Sequence, residues 1–294
     1  MRGITLSGIL AAVLSSPTTY AALTQVTDWG ENPTNLEMAV SMPSQLAEKP
    51  AIVLALHYCG GTGPAYYQMA NYDTYANSKG FIVVYPSTKK DNNCWDVAST
   101  QTLTNNGGGD STGLVNMVKY LIEKYNADPA KVYATGSSSG CMMTNVLLAV
   151  YPDVFAAGSC YSGVAAGCLA ESPGSSPQSA DPLCASGDNV KTGEQWASQA
   201  KAMYPGYNGT YPRMQTLHGT ADFFVHYKNL AEQLKEWSAL LGVEFAKNVT
   251  DTPQSGYTQM VYGDGTKLVG YSASGVGHTV PVHPALDMAW FGLA

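Results

Sequence analysis

Five residues, Gly136-Ser137-Ser138-Ser139-Gly140, place a serine midway between two glycines. A serine hydroxyl attacks a carbonyl only when a base takes its proton, and that base needs a partner to orient it. Two segments downstream supply both. Asp222 closes the run His218-Gly219-Thr220-Ala221-Asp222, 84 residues beyond Ser138, and His278 closes Gly275-Val276-Gly277-His278, 56 residues further on. Together they support acyl transfer, with Ser138 as nucleophile, His278 as base and Asp222 as the acid that orients it. Other histidines compete for these roles. His218, Asp222 and His226 recur at four-residue spacing, but a strand end and a turn cannot put them on one helix face, so no metal is expected. His283 is the alternative base, although the glycines around His278 better suit a catalytic loop. His57, at a strand end beside the site, reads as a hydrogen-bonded structural histidine.

These residues need a scaffold that brings them to one edge. Residues 51–57, 81–85, 131–135, 156–161, 213–217 and 267–272 read as strands, apolar almost throughout and therefore buried on both faces of a parallel sheet. Residues 23–26 and 35–42 alternate more and fit antiparallel edge strands. Leu114, Met117, Val118, Leu121, Ile122 and Tyr125 share a helix face, with Asp110 and Ser111 as capping residues before them. Leu230, Leu234, Trp237 and Leu241 make a second stripe. Alternating strands and helices predict an α/β protein: a doubly wound, mostly parallel sheet flanked by helices, with ligands at the carboxyl ends of the strands. In that setting a strand entering Gly-x-Ser-x-Gly and leaving as a helix is the nucleophile elbow of the α/β-hydrolase fold, where the order is serine, acid, histidine.

The oxyanion of a tetrahedral intermediate needs preorganised donors. The backbone N–H of Ser139 is one. The other is expected from Tyr58-Cys59-Gly60-Gly61, with Cys59 preferred and Tyr58 the alternative. Six cysteines in an exported chain favour disulfides, with 15 connectivities open. Cys59 and Cys94 follow neighbouring strands at one sheet edge, so their pairing would hold the oxyanion loop. Cys168 and Cys184 bracket the Ser- and Pro-rich stretch around residues 171–188, read as a stapled surface loop.

Export is read from the N-terminus. Arg2, an apolar run over residues 4–14 and small residues ending at Ala21 form a signal peptide over residues 1–21, leaving a single domain over 22–294. A net charge of −7 with 13% charged residues argues against nucleic acid or an acidic membrane surface as partner, and no run approaches a membrane span. The polar surface, with 19 tyrosines in the chain, suits a neutral polysaccharide, and a monomer is expected. Asn208 and Asn248 lie in sequons and are candidate glycosylation sites.

The whole mature chain resembles the fungal esterases of carbohydrate esterase family 1, which contains acetylxylan and feruloyl esterases. The likeness is carried by Trp29-Gly30-Glu31-Asn32-Pro33, His57-Tyr58-Cys59, Cys94-Trp95-Asp96, Gly107-Gly108-Gly109-Asp110-Ser111, the segment 136–140, Tyr204-Pro205-Gly206-Tyr207, and the segments ending at Asp222 and His278. It implies the same triad, no cofactor, and esters of xylan as substrates. The loops around Cys59, Cys94-Trp95-Asp96-Val97 and Gly277-His278-Thr279-Val280-Pro281 resemble the acetylxylan branch, and residues 256–272 the feruloyl branch. Acetylated xylan is therefore the expected substrate, ferulate esters of arabinoxylan the alternative, and a non-catalytic carbohydrate-binding protein the remote one. Tyr58 and Trp95 are expected to stack on sugar rings. Where relatives usually carry small residues this chain has Cys141 and Cys160, which implies that they pair.

Overall fold

Ile52, Val53, Leu54, Ala55 and Leu56 are all apolar and all fully buried, so the strand they form must be covered on both faces. Its side chains alternate between two cores, Ile52, Leu54 and Leu56 entering one and Val53 and Ala55 the other. The computed structural model describes residues 22–294; the signal peptide expected over 1–21 lies outside the described residues. Along the chain run β1 (Leu23–Val26), β2 (Glu37–Ser41), β3 (Ile52–Leu56), α1 (Gly63–Ala70), α2 (Asp73–Lys79), β4 (Ile82–Ser87) and α3 (Asp110–Tyr125). They are followed by β5 (Val132–Ser137), α4 (Ser139–Val150), β6 (Ala157–Tyr161), α5 (Pro182–Ala185), α6 (Gly193–Ala202) and β7 (Arg213–Gly219). The last are α7 (Lys228–Leu241), β8 (Phe245–Thr250), β9 (Tyr257–Tyr262), β10 (Leu268–Ala273) and α8 (Pro284–Phe291).

The strands form one sheet in the order β1-β2-β4-β3-β5-β6-β7-β10-β9-β8. From β4 to β10 neighbouring strands are parallel, while β1, β2, β9 and β8 join antiparallel at the two edges. This is the doubly wound α/β-hydrolase arrangement. The chain passes from β3 to β4 on one side, then to β5 on the other, which opens a crevice beyond their carboxyl ends. Helices α3, α4, α6 and α7 supply the larger core; α1, α2 and α8 supply the smaller one on the opposite face.

Two readings need correction. Asp110 and Ser111 lie inside α3 and do not cap it; the N-cap is Gly109, where a Cβ would stand 2.2 Å from Thr102 Oγ1. The other is the hairpin β8–β9, which the strand pattern did not give. Among the described residues no helix is long and apolar enough to cross a membrane.

Candidate active site

β5 leads into Ser138, whose φ of 54° and ψ of −118° make the abrupt turn into α4. The two flanking glycines are required by space. A Cβ on Gly136 would lie 2.5 Å from the Gly140 backbone, and one on Gly140 would lie 2.1 Å from Leu56 O. The elbow thus packs backbone against β3, and Ser138 is left at the floor of the cleft. Its own N–H is held by Tyr161 O at 2.8 Å.

Asp222 sits past the end of β7 and His278 past the end of β10. Gly219 brings their loops together, since a Cβ there would meet Val276 O at 2.1 Å. Ala221 N donates to Val276 O at 3.0 Å, and Gly275 N donates to Thr220 Oγ1 at 2.8 Å. The result is a hydrogen-bonded chain. His278 Nδ1 is 2.7 Å from Asp222 Oδ2, and His278 Nε2 is 2.8 Å from Ser138 Oγ. With Nδ1–H donating to the carboxylate, Nε2 is left to accept the serine proton.

Asp222 accepts from Phe224 N at 3.0 Å and Val225 N at 2.9 Å through Oδ1, and His218 Nε2 lies 3.4 Å from Oδ2. Burial pushes this carboxyl up. Hydrogen bonds from His218 and His278, with the positive charge His278 carries when protonated, outweigh it and hold Asp222 well below the usual carboxylate range. His218 Nε2–H also donates to Val225 O at 2.8 Å, which makes it a brace for the acid loop.

The loop bearing His278 is supported from below. Val280 N donates to Ser162 Oγ at 3.0 Å and His283 N to Tyr161 Oη at 3.1 Å. Tyr161 Oη in turn donates to Asp287 Oδ1 at 2.7 Å. His283 itself turns its Nε2 to Tyr257 Oη at 3.1 Å, so the structure brings His278 and not His283 to Ser138. His226 is exposed while His218 is buried, and among the described residues no group of three His, Cys, Asp or Glu converges as a metal site.

On the other side of Ser138 lie the expected oxyanion donors. Ser139 begins α4, where helix N-terminal amides favour negative charge. Cys59 and Tyr58 border the same cleft. Their loop is tied down by the Cys59–Cys94 disulfide, by Gly60 N donating to Asn92 O at 2.9 Å, and by Asn93 Nδ2 donating to Gly61 O at 3.1 Å. His57 is structural. Its Nε2 accepts from Thr88 N at 3.4 Å while Nδ1 donates to Tyr58 O at 2.7 Å, and burial lowers its pKa to about 4.

Trp95 is not a sugar-stacking residue. It is fully buried, donates Nε1–H to His57 O at 2.9 Å, packs on the His57 ring, and gives its backbone N–H to Ser139 Oγ at 2.8 Å. It therefore links the end of β3 to the start of α4 from beneath.

The cleft above Ser138 has a volume of about 490 Å³ and a mostly apolar wall that includes Met142, Val164 and Leu169. Part of that wall is the stretch read as a surface loop. Asp91 accepts from Ser175 N at 2.7 Å and Ser176 N at 2.8 Å, folding the loop inward, and the Cys168–Cys184 disulfide closes it. Cys141 and Cys160 are also bonded, joining α4 to β6. Two aromatics without a role in the sequence analysis follow Asp222: Phe224 lines the cleft, and Phe223, the residue before it, is exposed. Asn208 and Asn248 are both exposed.

Residues 36–191 match the family described as esterase PHB depolymerase, a span that includes Ser138 but stops before Asp222 and His278. A feruloyl esterase B from Talaromyces funiculosus is 48% identical over 290 residues, covering 99% of this chain and 81% of that protein. An acetylxylan esterase A from Aspergillus ficuum is 49% identical over 276 residues, covering 93% of this chain and 90% of the relative. Among solved structures, an acetyl xylan esterase from Aspergillus awamori superposes with a TM-score of 0.87 at 48% identity, covering 93% of this chain and 100% of that one.

Proposed function

The chain belongs to carbohydrate esterase family 1, among its fungal acetylxylan and feruloyl esterases, and on that premise we propose that it removes acetyl groups from acetylated xylan outside the cell. It is a carboxylic ester hydrolase. The observation that carries the proposal is the hydrogen-bonded chain Ser138–His278–Asp222 beneath an open cleft. Ser138 Oγ attacks the acetyl carbonyl as its proton passes to His278 Nε2. The N–H groups of Ser139 and Cys59 hold the oxyanion. His278 then gives the proton to the departing sugar oxygen, leaving an acetyl-Ser138 ester. Water, activated by the same imidazole, releases acetate. Asp222 keeps the tautomer and stabilises the imidazolium throughout. This route needs no cofactor.

Three disulfides suit an oxidising compartment, in keeping with the export expected of the chain. Tyr58, half-buried at the cleft, is placed to touch the substrate. One observation favours the ferulate reading. A cleft of about 490 Å³ with an apolar wall is far larger than an acetyl group requires. Both readings are tested on one panel, acetate release from acetylated xylan against ferulate release from methyl ferulate. Ser138→Ala should lower kcat on the preferred substrate by at least about a thousandfold. Activity within tenfold of the unsubstituted protein would overturn the assignment of Ser138.

A further inference from the structure

The chain has six phenylalanines, and two of them stand side by side in solvent immediately after the acid: Phe223 is 82% exposed and Phe224 75%. Large aromatic side chains bury 150–250 Å² when covered, so two bare consecutive rings, the second of them lining the cleft, mark a surface waiting for a partner. Their position is set by the triad itself. Phe224 N donates to Asp222 Oδ1, and the Phe224 ring lies 5.8 Å from the His278 ring, tilted 46° to it.

The chemistry decides which half of the ester meets these rings. His278 Nδ1 is committed to Asp222, so only Nε2 can return the proton to the leaving oxygen. That oxygen must come within hydrogen-bond reach of Nε2, about 2.6–3.2 Å. The acyl oxygen points the other way, toward Ser139 and Cys59. The alcohol therefore emerges beside the imidazole, where Phe224 stands. We propose that Phe224, extended by Phe223, is the subsite on which the sugar ring of the leaving alcohol stacks. A pyranose presents a face of polarised C–H bonds, and an aromatic face carries the complementary negative charge of its quadrupole. Trp95, buried beneath the site, cannot fill this role.

The proposal rests on the reading that the alcohol is a sugar, and the test separates the two. O-acetylated xylo-oligosaccharide and ethyl acetate share an acyl group and differ only in the alcohol. Phe224→Ala should lower the ratio of kcat/KM for the first over the second about tenfold, the size of one aromatic contact. Phe224→Trp should restore most of the ratio and Phe224→Leu should not. Phe223→Ala should lower it by a smaller factor, about threefold. Equal losses on both substrates would overturn the proposal, leaving Phe224 as a support for Asp222. Rate enhancement on emulsified esters that disappears in Phe224→Ala would overturn it in favour of a lipid surface. Should the unsubstituted protein release ferulate and not acetate, the same ratio is taken between feruloylated xylo-oligosaccharide and methyl ferulate. The acyl reading then fails while the alcohol subsite is still judged by that ratio.

Discussion

Asp222 and Asp287 are two largely shielded carboxylates that each accept four contacts, and their surroundings drive them in opposite directions. Asp222 faces two imidazoles and two backbone amides. Asp287, fully buried in α8, faces only neutral donors: Ser159 Oγ at 2.5 Å, Tyr161 Oη at 2.7 Å and Gln215 Nε2 at 3.0 Å on Oδ1, and Tyr72 Oη at 2.5 Å on Oδ2. Burial raises the Asp287 carboxyl to about 6 despite those hydrogen bonds. The comparison teaches that counting hydrogen bonds does not predict ionisation. At Asp287 burial outweighs the four bonds, whereas at Asp222 bonds from two imidazoles, with the charge His278 carries when protonated, outweigh burial.

The largest effect should come from Asp222→Asn, which keeps the shape but favours the wrong imidazole tautomer. It should cost about 10³–10⁴-fold in kcat on the preferred ester with the fold retained by circular dichroism. A loss under tenfold would mean that the acid is dispensable. Asp287→Leu should act in reverse, lowering stability by about 3–4 kcal/mol in chemical denaturation because it leaves buried donors unpaired. Its kcat/KM should fall less than tenfold, since the Asp287 carboxylate reaches the His278 loop only through Tyr161, and the bond from its backbone N–H to His283 O survives the substitution.

The third outcome concerns pH. Asp287 has a folded pKa above its unfolded value, so the folded state binds its proton more tightly and is relatively favoured at low pH. As pH rises from about 4 to about 6 that advantage is lost, by up to about 3 kcal/mol. Asp222 has the opposite sign: its contribution is present above the usual carboxylate range and is lost as pH falls through its depressed pKa. The difference in unfolding free energy between the unsubstituted protein and Asp287→Asn, followed from pH 4 to 6.5, should therefore shrink. A flat difference would show that Asp287 is already ionised at pH 4.

What was legible in the sequence follows from how the elements are buried. β3 read clearly because it is enclosed on both faces and its apolarity runs without a gap, and β5 and β6, equally enclosed, are built of small and apolar residues with few polar ones. β8 did not, because nearly all of Phe-Ala-Lys-Asn-Val-Thr is exposed and no face is marked by hydrophobicity. That Ser138, Asp222 and His278 come together was legible because the elbow and the two loops sit at strand ends. Trp95 was misplaced because residue type does not distinguish a tryptophan facing sugar from one donating to His57 O. The cleft wall over residues 171–188 depends on Asp91, more than 80 residues away, and no local pattern reports that contact. Phe223-Phe224 carried a usable signal, an aromatic pair where turn chemistry after Asp222 called for polar residues.

β8 ends the sheet, so among the described residues one side of its backbone has no neighbouring strand. Such an edge can template pairing with a second chain, and proteins blunt it with charge or bulk. Lys247 and the sequon at Asn248 both stand on this strand. A glycan attached at Asn248 would act as a fender there, its value lying in the collisions it prevents. Produced in a host that leaves Asn248 bare, the protein would guard that edge with Lys247 and the register irregularity between Phe245 and Lys247.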